Sequence, residues 1–276
     1  MMYGMKLHIR EMAEVKQEIE ALSLYQTHGI RLPNMTPVIY RIAQEWDGKR
    51  VFLQDGDALV YPYPKLKEVL IFLNEKLSGI ERVGTYATPK DILRYSLTEL
   101  KELRELKLGI IYMGIESGDD EILERIRKGA TSEEIIEAGR RIKEAGIISS
   151  VTVILGLGGI ENSNKHAIAT ARVLTAVDPD FAGALTLTLV PGTPMHDWWQ
   201  KGEFTLIDPF RSLEELKIML ENSNFTNCFF SSMHASNYLS IRGTLPQDKS
   251  KMLGQLERAL QTHDSEQLRP EFLRGL

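Results

Sequence analysis

The chain has 276 residues, with hydrophobic side chains at 43% and charged ones at 26%. These proportions exclude a disordered chain and leave room for one large α/β domain or two small ones. With 33 basic against 38 acidic side chains the formal net charge is −5, so no overall field draws the chain onto nucleic acid or an anionic membrane, and no nucleic-acid partner is indicated.

No apolar run approaches the roughly 20 residues that a bilayer span needs, and the stretch Met1 to Arg10 has no charged-then-apolar leader. The expected location is therefore cytoplasmic. Two helices are predicted first, Glu11 to His28 and Thr36 to Trp46, with Leu32-Pro33-Asn34 between them. From there short apolar runs alternate with segments of helical period, the pattern of β-α-β units with a parallel sheet. The predicted strands are Arg50 to Gln54, Glu81 to Tyr86, Gly109 to Ile115, Ser149 to Leu155 and Phe181 to Val190. The predicted helices between them are Pro64 to Lys76, Ser96 to Leu106, Asp119 to Arg127, Ser132 to Ala145 and Asn162 to Ala176. Ser212 to Glu221 and Gln247 to Leu260 also read as helices, joined by an irregular polar stretch. The single-domain reading puts a β/α barrel at 1–210 and a C-terminal helical extension packed on it at 211–276.

In parallel α/β folds ligands sit beyond the carboxyl ends of the strands, so the residues after each strand are the ones to weigh. The first strand leads into Asp55-Gly56-Asp57-Ala58, where a glycine lets the backbone approach a ligand and either acid accepts hydrogen bonds from an amine; capping aspartates in a plain turn are the equal alternative. Tyr86 ends the second strand, ready either to stack on a ligand or to bury its ring. After the third comes Gly114-Ile115-Glu116-Ser117-Gly118-Asp119-Asp120. Ser117, Asp119 and Asp120 suit helix capping, but Glu116 precedes the capping positions and suits ribose hydroxyls or a cationic partner. Gly156-Leu157-Gly158-Gly159 follows the fourth strand, either as a structural turn or as bare amides for a phosphate or a flat ring. Pro191-Gly192-Thr193-Pro194 redirects the chain after the fifth, as a turn or a pocket wall. His234 stands in a polar cluster near the end, where a structural role outweighs a catalytic one, and no residue is singled out as catalytic. Cys228 is the only cysteine, which excludes an internal disulfide and any cluster held by this chain's own thiolates.

In sequence order, Asp-Gly-Asp, Tyr-Met-Gly-Ile-Glu-Ser-Gly-Asp-Asp-Glu-Ile-Leu, Ile-Leu-Gly-Leu-Gly-Gly and Leu-Val-Pro-Gly-Thr-Pro-Met resemble the radical S-adenosylmethionine (radical SAM) superfamily. The likeness is strongest to its coproporphyrinogen oxidase-like and methylthiotransferase-like branch and runs from about Met2 to Phe204. It implies a partial β/α barrel of parallel strands with the first strand missing and a C-terminal helical extension. It also implies S-adenosylmethionine as cofactor, with Gly56 and Asp57 (beside Asp55) on the methionine amine and Glu116 and Ser117 on the nucleoside and carboxylate. Lys128 falls where relatives often have Arg for the methionine carboxylate, Gly156 and Gly158 pack the adenine, and Tyr86 joins the cofactor-binding set.

The family's CxxxCxxC motif has no counterpart here, and Met2-Tyr3-Gly4 resembles the stretch that follows it, so the chain reads as beginning just downstream of that motif. In the family three thiolates hold a 4Fe-4S cluster at which an electron cleaves S-adenosylmethionine to a 5′-deoxyadenosyl radical. The resemblance therefore implies, for a full-length form, an electron donor and radical chemistry on a small-molecule or unknown substrate. This chain cannot ligate the cluster and is expected to be inactive alone. Two alternatives stay open: a non-catalytic module that binds S-adenosylmethionine, a nucleoside or a partner, and a metal-independent barrel enzyme gripping a phosphate at Gly156 to Gly159.

Overall fold

The computed structural model describes residues 8–33 and 35–275. Met2, Tyr3 and Gly4 lie outside the described residues, as does the side chain of Asp55. Two compact units divide at Tyr112–Met113, with Arg141–Ile148 returning to the first.

In the first unit, α1 (Met12–His28) and α2 (Pro37–Glu45) precede β1 (Arg50–Asp57). There follow α3 (Tyr63–Lys76), β2 (Arg82–Tyr86), α4 (Pro89–Leu93), α5 (Leu97–Glu105) and β3 (Leu108–Glu116). The helix starts are written in the sequence. Ser96 and Glu99 form a reciprocal capping box for α5, and Thr88 accepts from the Asp91 amide at the start of α4. On α3 the stripe Leu66, Val69, Leu70 and Leu73 is fully buried, each such side chain contributing about 1.5–3 kcal/mol relative to exposure. β1, β2 and β3 pair in parallel. Register slips between Leu53 and Asp57, so the Asp-Gly-Asp turn expected after the strand is instead an irregularity inside it, and it sets Asp57 opposite Tyr86.

The second unit continues with α6 (Asp120–Arg125), α7 (Ser132–Glu144), β4 (Ile148–Leu155), α8 (Gly159–Val177), β5 (Phe181–Thr186), α9 (Pro194–Gln200) and α10 (Pro209–Asn222). It ends with β6 (Cys228–Ser231), β7 (Arg242–Leu245) and α11 (Lys249–Thr262). β4, β5 and β6 pair in parallel, and β7 returns antiparallel to β6. β4 buries every second residue, including Val151, Val153 and Leu155. α8 buries Ser163, His166, Ala167, Thr170, Ala171 and Leu174, the three- and four-residue spacing of a helix face. Gly139 on α7 keeps that approach close, since a Cβ there would meet Val177 at 2.6 Å.

The stretch between α10 and α11, expected to be irregular, carries β6 and β7. Cys228–Ser231 alternates buried and exposed over only four residues, too few for its period to stand out. Thr193 and Pro194 do more than redirect the chain. Thr193 accepts from the His196 amide and caps α9, where the sequence alone offered a turn or a pocket wall. β5 correspondingly ends at Thr186 rather than Val190.

Candidate functional site

In the second unit the chain makes an unusual turn where β3 ends. Glu116 has φ +64°, a left-handed backbone that a residue with a side chain rarely adopts, and the Ser117 amide donates back to the Ile115 carbonyl at 2.8 Å. The conformation sends the carboxylate over Gly114, where an added Cβ would lie 2.2 Å from Glu116 Oε1 and 3.0 Å from Lys128 Nζ. Lys128 reaches the same spot from the chain just beyond α6 and donates to Glu116 Oε1 at 3.0 Å. The two side chains keep only 23% and 11% of their exposure, so the pair is partly shielded from water and stronger than a surface contact. Strain of this kind, of order 1–3 kcal/mol, persists where the surroundings hold it and clusters at binding sites.

Ser117 faces the other way. Its hydroxyl is buried, 2.8 Å from His166 Nδ1, and accepts the Asp119 amide at 3.0 Å. Asp119 caps α6 by accepting the Glu121 and Ile122 amides. After β4, Gly156 has φ +87° and donates its amide to Glu215 Oε1 at 2.7 Å. Gly158 packs tightly, since a Cβ there would meet the Asn162 carbonyl oxygen at 2.8 Å. Gly156 borders a cavity of about 390 Å³ whose wall includes Leu155, Leu187, Leu189, Trp199 and Ile207, within the ordinary size range of small-molecule sites. His166 and Glu215, both fully buried, escaped sequence reasoning because nothing local distinguishes them from the helix faces on which they sit. His234, by contrast, shares its Nδ1 with Ser236 at 2.9 Å, a local structural role.

In the first unit Asp57 accepts the Leu59 amide at 2.8 Å and the Thr88 amide at 2.6 Å. Thr88 donates its hydroxyl to Asp91, which also pairs with Arg94 at 3.1 Å. Burial raises the Asp57 carboxyl to about 7, the Thr88 amide opposes the rise, and the nearby Asp91 carboxylate adds to it. Gly56 has open space where a Cβ would stand. Tyr86 is 54% exposed, its ring 4.9 Å from that of Phe52 and 5.9 Å from that of Tyr112. These edge-to-face contacts hold the ring at the strand end without covering it.

A carboxyl raised in the folded state favours folding below its ordinary value of 3.8, and that contribution is lost as pH climbs through about 7. Carbon NMR of the aspartate carboxyls is expected to show one titration near pH 7, absent from Asp57→Asn. The stability of Asp57→Asn relative to wild type should rise between about pH 4 and pH 8. A carboxyl at position 57 that titrates near the ordinary value contradicts this.

The sequence-named residues thus divide between the units. Asp55, Gly56, Asp57 and Tyr86 belong to the first, and Glu116, Ser117, Lys128, Gly156 and Gly158 to the second. Glu116 meets Lys128 directly, whereas Ser117 and Gly156 are joined through His166 and Glu215. Among the described residues no helix is long and apolar enough to cross a membrane.

The sequence model of the radical SAM superfamily matches residues 34–171, half of the chain. The heme chaperone HemW of Bacillus subtilis is 23% identical over 209 residues, covering 70% of this chain and 54% of HemW. The tRNA uridine(34) acetyltransferase of Methanocaldococcus infernus is 29% identical over 126 residues, 43% of this chain and 22% of that protein. Among solved structures, coproporphyrinogen III oxidase (HemN) from Escherichia coli, a radical SAM enzyme, superposes with a TM-score of 0.53 at 14% identity, over 78% of this chain and 47% of HemN. That likeness shows the fold, the α/β class with parallel strands of the radical SAM type. The chain spans about half the length of HemW and less of the acetyltransferase.

Proposed function

Because this chain belongs to the radical SAM superfamily, we propose that it holds S-adenosylmethionine with its own residues and does not by itself cleave it. The observation that carries the reading is the end of β3, where a left-handed Glu116 is ion-paired with Lys128 over Gly114 inside the matched region. The carboxylate suits ribose hydroxyls as an acceptor, and the ammonium suits the methionine carboxylate. Gly156 lines the cavity proposed for the purine, with Ile207 and Leu187 packed against it. Ser117 serves from behind, holding the turn rather than the ligand. The proposed site lies within the second unit; Asp57, Gly56 and Tyr86, for which the resemblance implies a part in holding the cofactor, belong to the first. When bound, S-adenosylmethionine supplies an activated carbon–sulfur bond next to the adenosyl group.

The residues present do not fit the iron–sulfur cluster that the family implies. Cys228 is the single cysteine, and it is buried, with its thiol pushed up to about 12 by that burial. Among the described residues no three of His, Cys, Asp and Glu gather to hold a metal ion. Reductive cleavage at a 4Fe-4S cluster, with its electron donor and substrate, is the chemistry of the family, and no step of it is assigned to these residues. The match to a tRNA-modifying relative brings RNA into that substrate class beside small molecules, although the net charge of −5 gives no electrostatic pull toward it.

Calorimetric titration with S-adenosylmethionine is expected to show saturable one-to-one binding that Glu116→Gln weakens at least about tenfold, the loss of a charge-assisted contact that leaves Lys128 unpaired. Absence of saturable binding by the wild-type chain, or equal affinity in the variant, overturns the reading.

A further inference from the structure

We propose that Glu215 is a positioning residue for S-adenosylmethionine binding, acting through a buried relay that fixes the turns after β3 and β4; this rests on the function proposed above. Glu215 projects from α10 and is fully buried. One carboxylate oxygen accepts the Gly156 amide at 2.7 Å, and the other accepts the Ser163 hydroxyl at 2.6 Å. His166 Nε2 stands 3.5 Å from Glu215 and 3.0 Å from the Ile154 carbonyl. A carbonyl oxygen can only accept, so Nε2 carries the hydrogen and Nδ1 is the ring atom that meets Ser117 Oγ at 2.8 Å. Thr170 completes the arrangement, accepting the Gly118 amide at 3.0 Å and lying 3.4 Å from the same Nδ1.

A packed core has no need of this. A buried carboxylate is unfavourable unless its acceptors are filled, and an apolar side chain between α8 and α10 would pack without that demand. What the carboxylate secures is specific. Gly156 takes a left-handed backbone and directs its amide at Glu215, so the path of the turn beside the cavity depends on α10. The far end of the relay grips Ser117, the residue next to Glu116, and Ser117 in turn receives Asp119. One acid thus sets two loops that the proposed ligand would touch, and it touches the ligand itself at neither.

Three variants test the proposal. Glu215→Gln retains the shape but removes the charge and one of the two acceptor oxygens that hold the Gly156 amide and the Ser163 hydroxyl, and it is expected to lower S-adenosylmethionine affinity about tenfold. Val173→Ala, which hollows the buried face of α8 about two turns beyond His166, should lose stability with unchanged affinity. His166→Asn keeps a polar atom toward Ser117 and removes the link to Ile154 and Glu215; it stands in if Glu215→Gln does not fold, with the same expected loss. If affinity survives the relay variants, or falls equally in Val173→Ala, Glu215 is only part of the packing and the proposal is overturned. Nitrogen NMR gives a reading that needs no ligand. Glu215→Gln should shift the Gly156 amide, the His166 ring nitrogens and the Ser117 amide together, while Val173→Ala leaves them in place. Unmoved Ser117 and Gly156 signals overturn the relay even if the wild-type chain binds S-adenosylmethionine, whereas moved signals with no binding by wild type overturn only the function on which it rests.

Discussion

Anaerobic incubation of this chain with iron, sulfide, a strong reductant and S-adenosylmethionine is expected to yield no 5′-deoxyadenosine above a protein-free control, measured by liquid chromatography. The reasoning is stoichiometric before it is structural. A cubane of the family's type takes three thiolates from the protein, and the sequence contains one cysteine. That one is buried in β6, and its thiol is held up to about 12 by burial, with Asp178 and Asp180 adding to the effect, so near neutrality it is a thiol and not a ligand. Substituting Cys228 by Ser should therefore leave any S-adenosylmethionine binding untouched. Product formed in proportion to protein would show that the electron path does not need those thiolates and would remove the division between binding and cleavage proposed above.

Gly118→Ala is expected to lower the thermal midpoint by about 5–10 °C, read by circular dichroism, which corresponds to a loss of roughly 2–3 kcal/mol. The added Cβ would lie 2.2 Å from the Ala169 carbonyl oxygen and 2.7 Å from Thr170 Cα. These are backbone atoms of α8, so no side chain can swing aside to make room. The same shift would stretch the bond from the Gly118 amide to Thr170 Oγ1, 3.0 Å in the native chain. A midpoint within about 2 °C of wild type would mean that the turn after β3 stands off α8 in solution.

Much of this was legible in the sequence, and the reason lies in range. The first five strands declare themselves by apolar runs that end in polar turns, and the helices between them by spacing and caps such as Ser96 with Glu99. Glu116 could be singled out because it precedes the positions a cap would occupy, and its left-handed backbone gives that position a physical distinction. Asp57 was visible as an acid in a turn, but its place inside an irregular β1 was not, because register depends on the neighbouring strand. β6 and β7 are too short to show a period, and α9 was hidden behind Thr193 and Pro194, which signal a turn as readily as a helix start. His166 and Glu215 lay beyond reach for a different reason. Each sits on a buried helix face, and the partner that matters stands far along the chain, Ser117 49 residues from His166 and Gly156 59 from Glu215, so only the folded chain brings the donor to its acceptor.

The bond between Gly156 and Glu215 spans 59 residues, which has a bearing on the order of events at the ribosome. As the chain is made, β4 and the start of α8 emerge with that amide unclaimed, and the glycine turn can wander until α10 has been synthesised and docks. The turn after β4 thus matures late, after the strand that bears it.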